Sequence, residues 1–169
     1  QLDSASVRQS LLGHTMTLPK GFSISVFAEG VGGVRFLALG PDGNVYASRP
    51  DAGLIVRLPD ANHDGVSDGA VTVRGGLNAP HGIAFRGDTM YVAEMDRVVR
   101  FAGTGAAAQV VVSGVPAGGH STRTIVFRGD TLYLSVGSSC NICDESSARR
   151  AAVTAFRPDG SGEQTYASG

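Results

Sequence analysis

Along this chain, short stretches in which apolar and polar residues alternate are interrupted by Gly, Asp, Asn or Pro. Alternation with a period of two predicts half-buried strands, and the interruptions predict tight turns. Three segments share one layout: FLALGPDGNVYAS from Phe36 to Ser48, GIAFRGDTMYVA from Gly82 to Ala93, and TIVFRGDTLYLS from Thr124 to Ser135. Each reads as an apolar strand, a turn built on Asp-Gly or Gly-Asp, and a strand containing Tyr. The tyrosines Tyr46, Tyr91 and Tyr133 are separated by 45 and then 42 residues, and Phe85 and Phe127 by 42. A period of about 40–45 residues with several strands in each unit is the signature of propeller blades.

Two further strands are expected in each unit: 54–58 and 71–74, then 97–101 and 109–113, then 151–156 and 163–167. The fold class is therefore all-β, a β-propeller of three four-stranded antiparallel blades, half of a six-bladed ring. Residues 1–18 read as an N-terminal tail, and 19–169 as the half-propeller. Blade 1 is expected at about 35–76, blade 2 at about 80–115 and blade 3 at about 120–168. The leftover apolar stretch Phe22 to Glu29 is expected as a strand that completes a neighbouring blade. Three blades cannot close a ring and would leave sheet flanks open. Either a second copy completes the ring as a two-fold dimer, or additional C-terminal blades do.

Composition narrows the functional classes. Formal net charge is -1 among 169 residues, which gives no general reason to expect nucleic acid or an anionic membrane surface as partner. No apolar run approaches the roughly 20 residues of a membrane span. The two cysteines, Cys140 and Cys143, are too few for a disulfide framework. They are too few to complete a zinc site, and no helix start accompanies them as a thioredoxin-like pair would need. A local disulfide stiffening its loop in an oxidising compartment and a pair of free thiols both remain open.

Candidate chemistry gathers at one position of the repeat. Four residues before Leu39, Phe85 and Phe127 stand Arg35, His81 and Arg123. The first strand of a blade lines the central channel. The three residues are therefore expected to form a cationic collar at one rim, suited to an anionic ligand. The alternative is three solvated rim residues. His120, in Gly118-Gly119-His120-Ser121-Thr122-Arg123, is expected on the same rim, where an imidazole can take a proton at neutral pH. Elsewhere, Asp60-Ala61-Asn62-His63-Asp64-Gly65 has the alternating oxygen ligands of a calcium loop, with Asp68 at the ninth position. Val71 replaces the bidentate Glu of an EF-hand at the twelfth, and a solvated turn is the competing reading.

The strings GGHSTRT, SVGSSCNIC, ARRAAV, LPKGFSISVFAEGV and LNAPHGIAF resemble the soluble glucose and sorbosone dehydrogenases, over nearly the whole chain from Leu18 onward. That resemblance implies a six-bladed propeller with pyrroloquinoline quinone (PQQ) over the central channel. It also implies oxidation of the anomeric hydroxyl of an aldose, with His120 as the base and hydride passing to the quinone. Arg123, His81, Arg35, Cys140, Asn141 and Cys143 are then expected around the cofactor, and Asp60, Asn62, Asp64 and Asp68 around Ca2+. A periplasmic or secreted location is expected. In the family a Leu-Arg-Asn segment and further basic residues should follow the third blade, so this chain alone is expected to be inactive. A non-catalytic propeller that binds a partner at its rim is the alternative. A calcium-dependent lactonase of the same fold needs carboxylates and amides on the axis, which a basic collar argues against.

Overall fold

The computed structural model describes residues 6–103 and 105–169. It contains three four-stranded antiparallel sheets, each a simple meander in chain order. The first is β3 (Phe36–Leu39), β4 (Val45–Arg49), β5 (Leu54–Leu58) and β6 (Val71–Arg74). The second is β7 (Ile83–Arg86), β8 (Thr89–Ala93), β9 (Val98–Ala102) and β10 (Gln109–Val112). The third is β11 (Arg123–Arg128), β12 (Thr131–Val136), β13 (Ala152–Phe156) and β14 (Gln164–Ser168). These are the three propeller blades that the repeat predicts. The helical element among the described residues is a 3-10 turn, Pro50–Ala52, and no described helix is long and apolar enough to cross a membrane.

The repeated aromatics are blade-to-blade contacts. Tyr46 on β4 meets Phe85 of the next blade edge-on, with ring centroids 4.9 Å apart, and Tyr91 on β8 meets Phe127 in the same way at 4.8 Å. Such pairs contribute about 0.5–1.5 kcal/mol beyond the area they bury. Around them lie two apolar clusters. Ile55, Ile83, Val92 and Val99 seal blade 1 to blade 2, and Val98, Ile125, Leu132 and Leu134 seal blade 2 to blade 3. Burying each such side chain stabilises the fold by roughly 1.5–3 kcal/mol. Phase along the inner strands is thus dictated by which residues must meet the neighbouring blade.

Two expectations at the N-terminal end change. Described residues of the expected tail form a hairpin, β1 (Ser6–Leu11) paired with β2 (His14–Pro19); residues 1–5 lie outside the described residues. Phe22 to Glu29 joins no sheet among the described residues. Phe27, Ala28, Val31 and Val34 pack instead on Ala47, Val56 and Leu58 of blade 1. The Phe27 carbonyl accepts from Ser67 N–H at 2.7 Å. Apolar side chains need burial more than extended backbone needs a ladder, so the segment covers the flank of blade 1 rather than extending a sheet.

Candidate functional site

Each inner strand enters its blade from one rim, and the turns that join the second and third strands return to it. On that rim lies a concavity of about 520 Å³ lined by Arg35, Pro50, Asp51, Ala79, His81, Gly119, His120, Ser121 and Thr122. Arg35 and the 3-10 turn come from blade 1, His81 from the loop entering blade 2, and residues 119–122 from the loop entering blade 3. Side chains from three blades therefore converge on one space.

His120 is exposed, on a loop pressed against the turn that follows β12. Its N–H donates to the Ser138 carbonyl at 3.0 Å. A Cβ on Gly137 would stand 2.9 Å from the His120 Cβ and carbonyl oxygen. On Gly119, at φ +65°, it would stand 2.7 Å from the Ser139 backbone. Glycine is required at both places because two backbones nearly touch. The contact brings His120 Nε2 within 2.9 Å of Asn141 Oδ1. Asn141 sits between Cys140 and Cys143, which form a disulfide, one of the two states the sequence leaves open.

The expected collar is not one row of equivalent cations. Arg35 is exposed and forms no ion pair with a described carboxylate. His81 is half-buried, and its Nδ1 lies 3.2 Å from the Arg123 carbonyl oxygen. Burial lowers its pKa from the ordinary 6.5, the bond to that carbonyl opposes the fall, and the charges of Arg35 and Arg123 add to it. Burial thus favours the neutral form of this imidazole.

Arg123, expected to face the ligand, is fully buried instead. Its guanidinium donates to the carbonyls of His120 at 2.7 Å, Thr122 at 2.9 Å, Met95 at 3.2 Å and Pro116. Five fixed donors suit a place where several loop carbonyls meet with no water to satisfy them. Arg123 ties the His120 loop to the β8–β9 turn of blade 2. A second latch, invisible to the repeat, is Glu94: completely buried, it accepts from Asn78 N–H at 2.6 Å and pairs with Arg97. It anchors the loop that carries His81.

The expected calcium ligands hydrogen-bond within their own loop. Asp60 accepts from the N–H groups of Asp64 at 3.1 Å and Gly65 at 3.0 Å. Asp64 accepts from Val66 N–H at 2.8 Å, Asn62 from Asp64 N–H at 3.3 Å, and Asp68 from Ala61 N–H at 2.8 Å. Among the described residues no group of three or more His, Cys, Asp and Glu side chains is placed to hold a metal. Asp60, Asn62, Asp64 and Asp68 thus each accept from N–H groups of their own turn, as Asx side chains in a tight turn do. The loop is also on the rim opposite His120. Conversely, Asp51, Ser121 and Thr122 line the concavity without having been singled out. Asp51 follows a second strand at the same rim, and Ser121 and Thr122 flank His120, which are the signals that could have found them.

Comparison with known proteins gives the fold its relatives. No curated protein matches. Among solved structures, the PQQ-holo domain of a pyranose dehydrogenase from Coprinopsis cinerea is 23% identical, with a TM-score of 0.66 over 77% of this chain and 34% of that one. A calcium structure of a Trichoderma reesei carbohydrate-active enzyme of family AA12 is 21% identical, with a TM-score of 0.63 over 80% and 38%. A PQQ-bound aldose sugar dehydrogenase from Streptomyces coelicolor is 22% identical, with a TM-score of 0.61 over 81% and 48%. The chain thus spans only 34% to 48% of these structures' own length. The family model described as TrAA12-like matches residues 16–168, in agreement with the resemblance carried by the motifs around His120, and the chain belongs to that family.

Proposed function

We propose that this chain supplies three blades of a PQQ-dependent aldose dehydrogenase, with His120 as the general base that deprotonates the anomeric hydroxyl. The observation that carries this is the convergence of Arg35, His81 and His120 on one concavity. The lining suits a flat anionic quinone. It offers a guanidinium at Arg35 that pairs with no described carboxylate, an imidazole at His81 whose neutral form burial favours, and hydroxyl donors at Ser121 and Thr122. Arg123, Cys140 and Cys143 act behind that surface. PQQ, when bound, supplies the two-electron acceptor for the hydride of the sugar. His120 is exposed to the same space and can take the hydroxyl proton as the hydride leaves.

Further blades complete the pocket, either from a second copy or from additional chain. Leu39 is 71% exposed and Val126 58% exposed on the inner strands of blades 1 and 3, which is apolar surface that more blades would cover. A disulfide at the site fits a periplasmic or secreted location. The test is a titration of the complete propeller with PQQ, followed by sugar turnover. His120→Ala should leave PQQ affinity within about twofold and lower turnover by a factor of about 10² to 10⁴. Undiminished turnover would remove His120 as the base. Absence of saturable PQQ binding by a folded protein would favour a rim that binds a partner without chemistry.

A further inference from the structure

An exposed imidazole rotates about two side-chain bonds, and a base useful in catalysis has to be held in one orientation. Neither the His120 loop nor Arg123 does this, since both hold only the backbone of His120. The ring has one described partner, Asn141 Oδ1 at 2.9 Å from Nε2. We propose that Asn141, presented by the disulfide-closed turn Cys140–Cys143, is a positioning residue that orients the His120 imidazole. The description of His120 as a base rests on the function proposed above, whereas the orienting contact stands without it.

The turn is built to present that amide. The disulfide links residues three apart in sequence, closing the stretch of the connection that meets the His120 ring. Ser138 Oγ donates to the Cys140 carbonyl at 2.8 Å, and Ser139 N–H donates to Glu145 Oε1 at 2.6 Å. The described side-chain hydrogen bond of Asn141 is the one to His120, while neighbouring Ile142 is 96% exposed and packs on nothing. A carbonyl oxygen accepts only, so Nε2 is the donor in this contact and Nδ1 is the nitrogen it leaves unengaged. An amide also orients the ring without placing a second carboxylate beside it, Asp51 already lining the cavity.

The experiment introduces a charge at the contact and asks whether the disulfide transmits it. The pKa of His120 is followed by NMR of the 169-residue chain, with His81 as an internal control of folding. Asn141→Asp should raise the pKa of His120 by about one unit while the disulfide is intact. Less than half of that shift should remain after reduction with dithiothreitol, or in a Cys140→Ser, Cys143→Ser background. The other charged groups around the ring are the same in every arm: Arg35, Asp51 and His81 across the cavity, Arg123 and Arg150 beneath the loop, and Asp144 and Glu145 beyond the turn. No shift with the disulfide intact, or an equal shift without it, overturns the proposal. In the complete dehydrogenase, Asn141→Ala should lower kcat by about tenfold or more with KM for the sugar within about twofold, and Asn141→Gln should restore part of it. An intact NMR shift with unchanged kcat would overturn His120 as base and leave the orienting contact standing.

Discussion

The two rims of these three blades carry loops of opposite character. On one, His120, Ser121 and Thr122 face a common concavity, and Asn141 meets the His120 ring. On the other, Asp60 to Asp68 turns its side-chain oxygens onto its own backbone. Both loops are rich in the residue types that bind ligands. The difference is where the unsatisfied backbone groups lie. The acidic loop has free N–H groups within its own turn and spends its carboxylates on them. The His120 loop has its carbonyls satisfied from below by Arg123, so its side chains remain available.

That contrast can be broken at its strongest point first. Arg123→Leu should destabilise the chain by about 3 kcal/mol or more, because the carbonyls of Met95, Pro116, His120 and Thr122 lose a buried donor. Urea denaturation measures it. A stable Arg123→Leu protein with weakened PQQ binding would return Arg123 to the ligand surface. Next, Gly137→Ala should cost about 1–3 kcal/mol by forcing apart the two backbones that meet at His120. It should also displace the His120 resonances, whereas alanine at the open Gly65 turn should leave them unmoved.

On the acidic rim the effect should be smaller. Asp60→Ala should cost about 1 kcal/mol through two lost turn bonds. Adding calcium to the wild-type chain should leave its Tm unchanged, and a saturable rise in Tm abolished by Asp60→Ala would restore the calcium site. The smallest effect belongs to His81. Its folded pKa lies below the unfolded value of 6.5, so the unfolded chain takes up the proton first. The associated stability is present above about pH 6.5 and is lost as pH falls through the folded pKa. Urea midpoints between pH 5 and 8 should fall on the acid side, and His81→Gln should flatten that slope.

The blades were legible because their signals are local. Alternation over a few residues, turns at Asp-Gly and Gly-Asp, and the recurrence of Tyr46, Tyr91 and Tyr133 each report a strand or a strand contact without knowledge of the rest of the chain. The hairpin of β1 and β2 escaped because its strands lack the repeat, although Leu12-Gly13, both at positive φ, form its turn. Phe22 to Glu29 has a strand's pattern, but a pattern cannot say whether an extended segment will find a ladder or a flank to cover.

The candidate site divides along the same line. Its place on one rim, and the presence of His120 there, follow from counting back from the inner strands, since every blade starts at that rim. The three residues at that count nevertheless came to differ: Arg35 exposed, His81 half-buried, Arg123 wholly buried. Spacing sets how far along a strand a residue stands. Whether its side chain meets water, a neighbouring ring or a cluster of carbonyls depends on loops remote in sequence. For Arg123 those were the turns at Met95 and Pro116, which reach it only once the second and third blades have packed together.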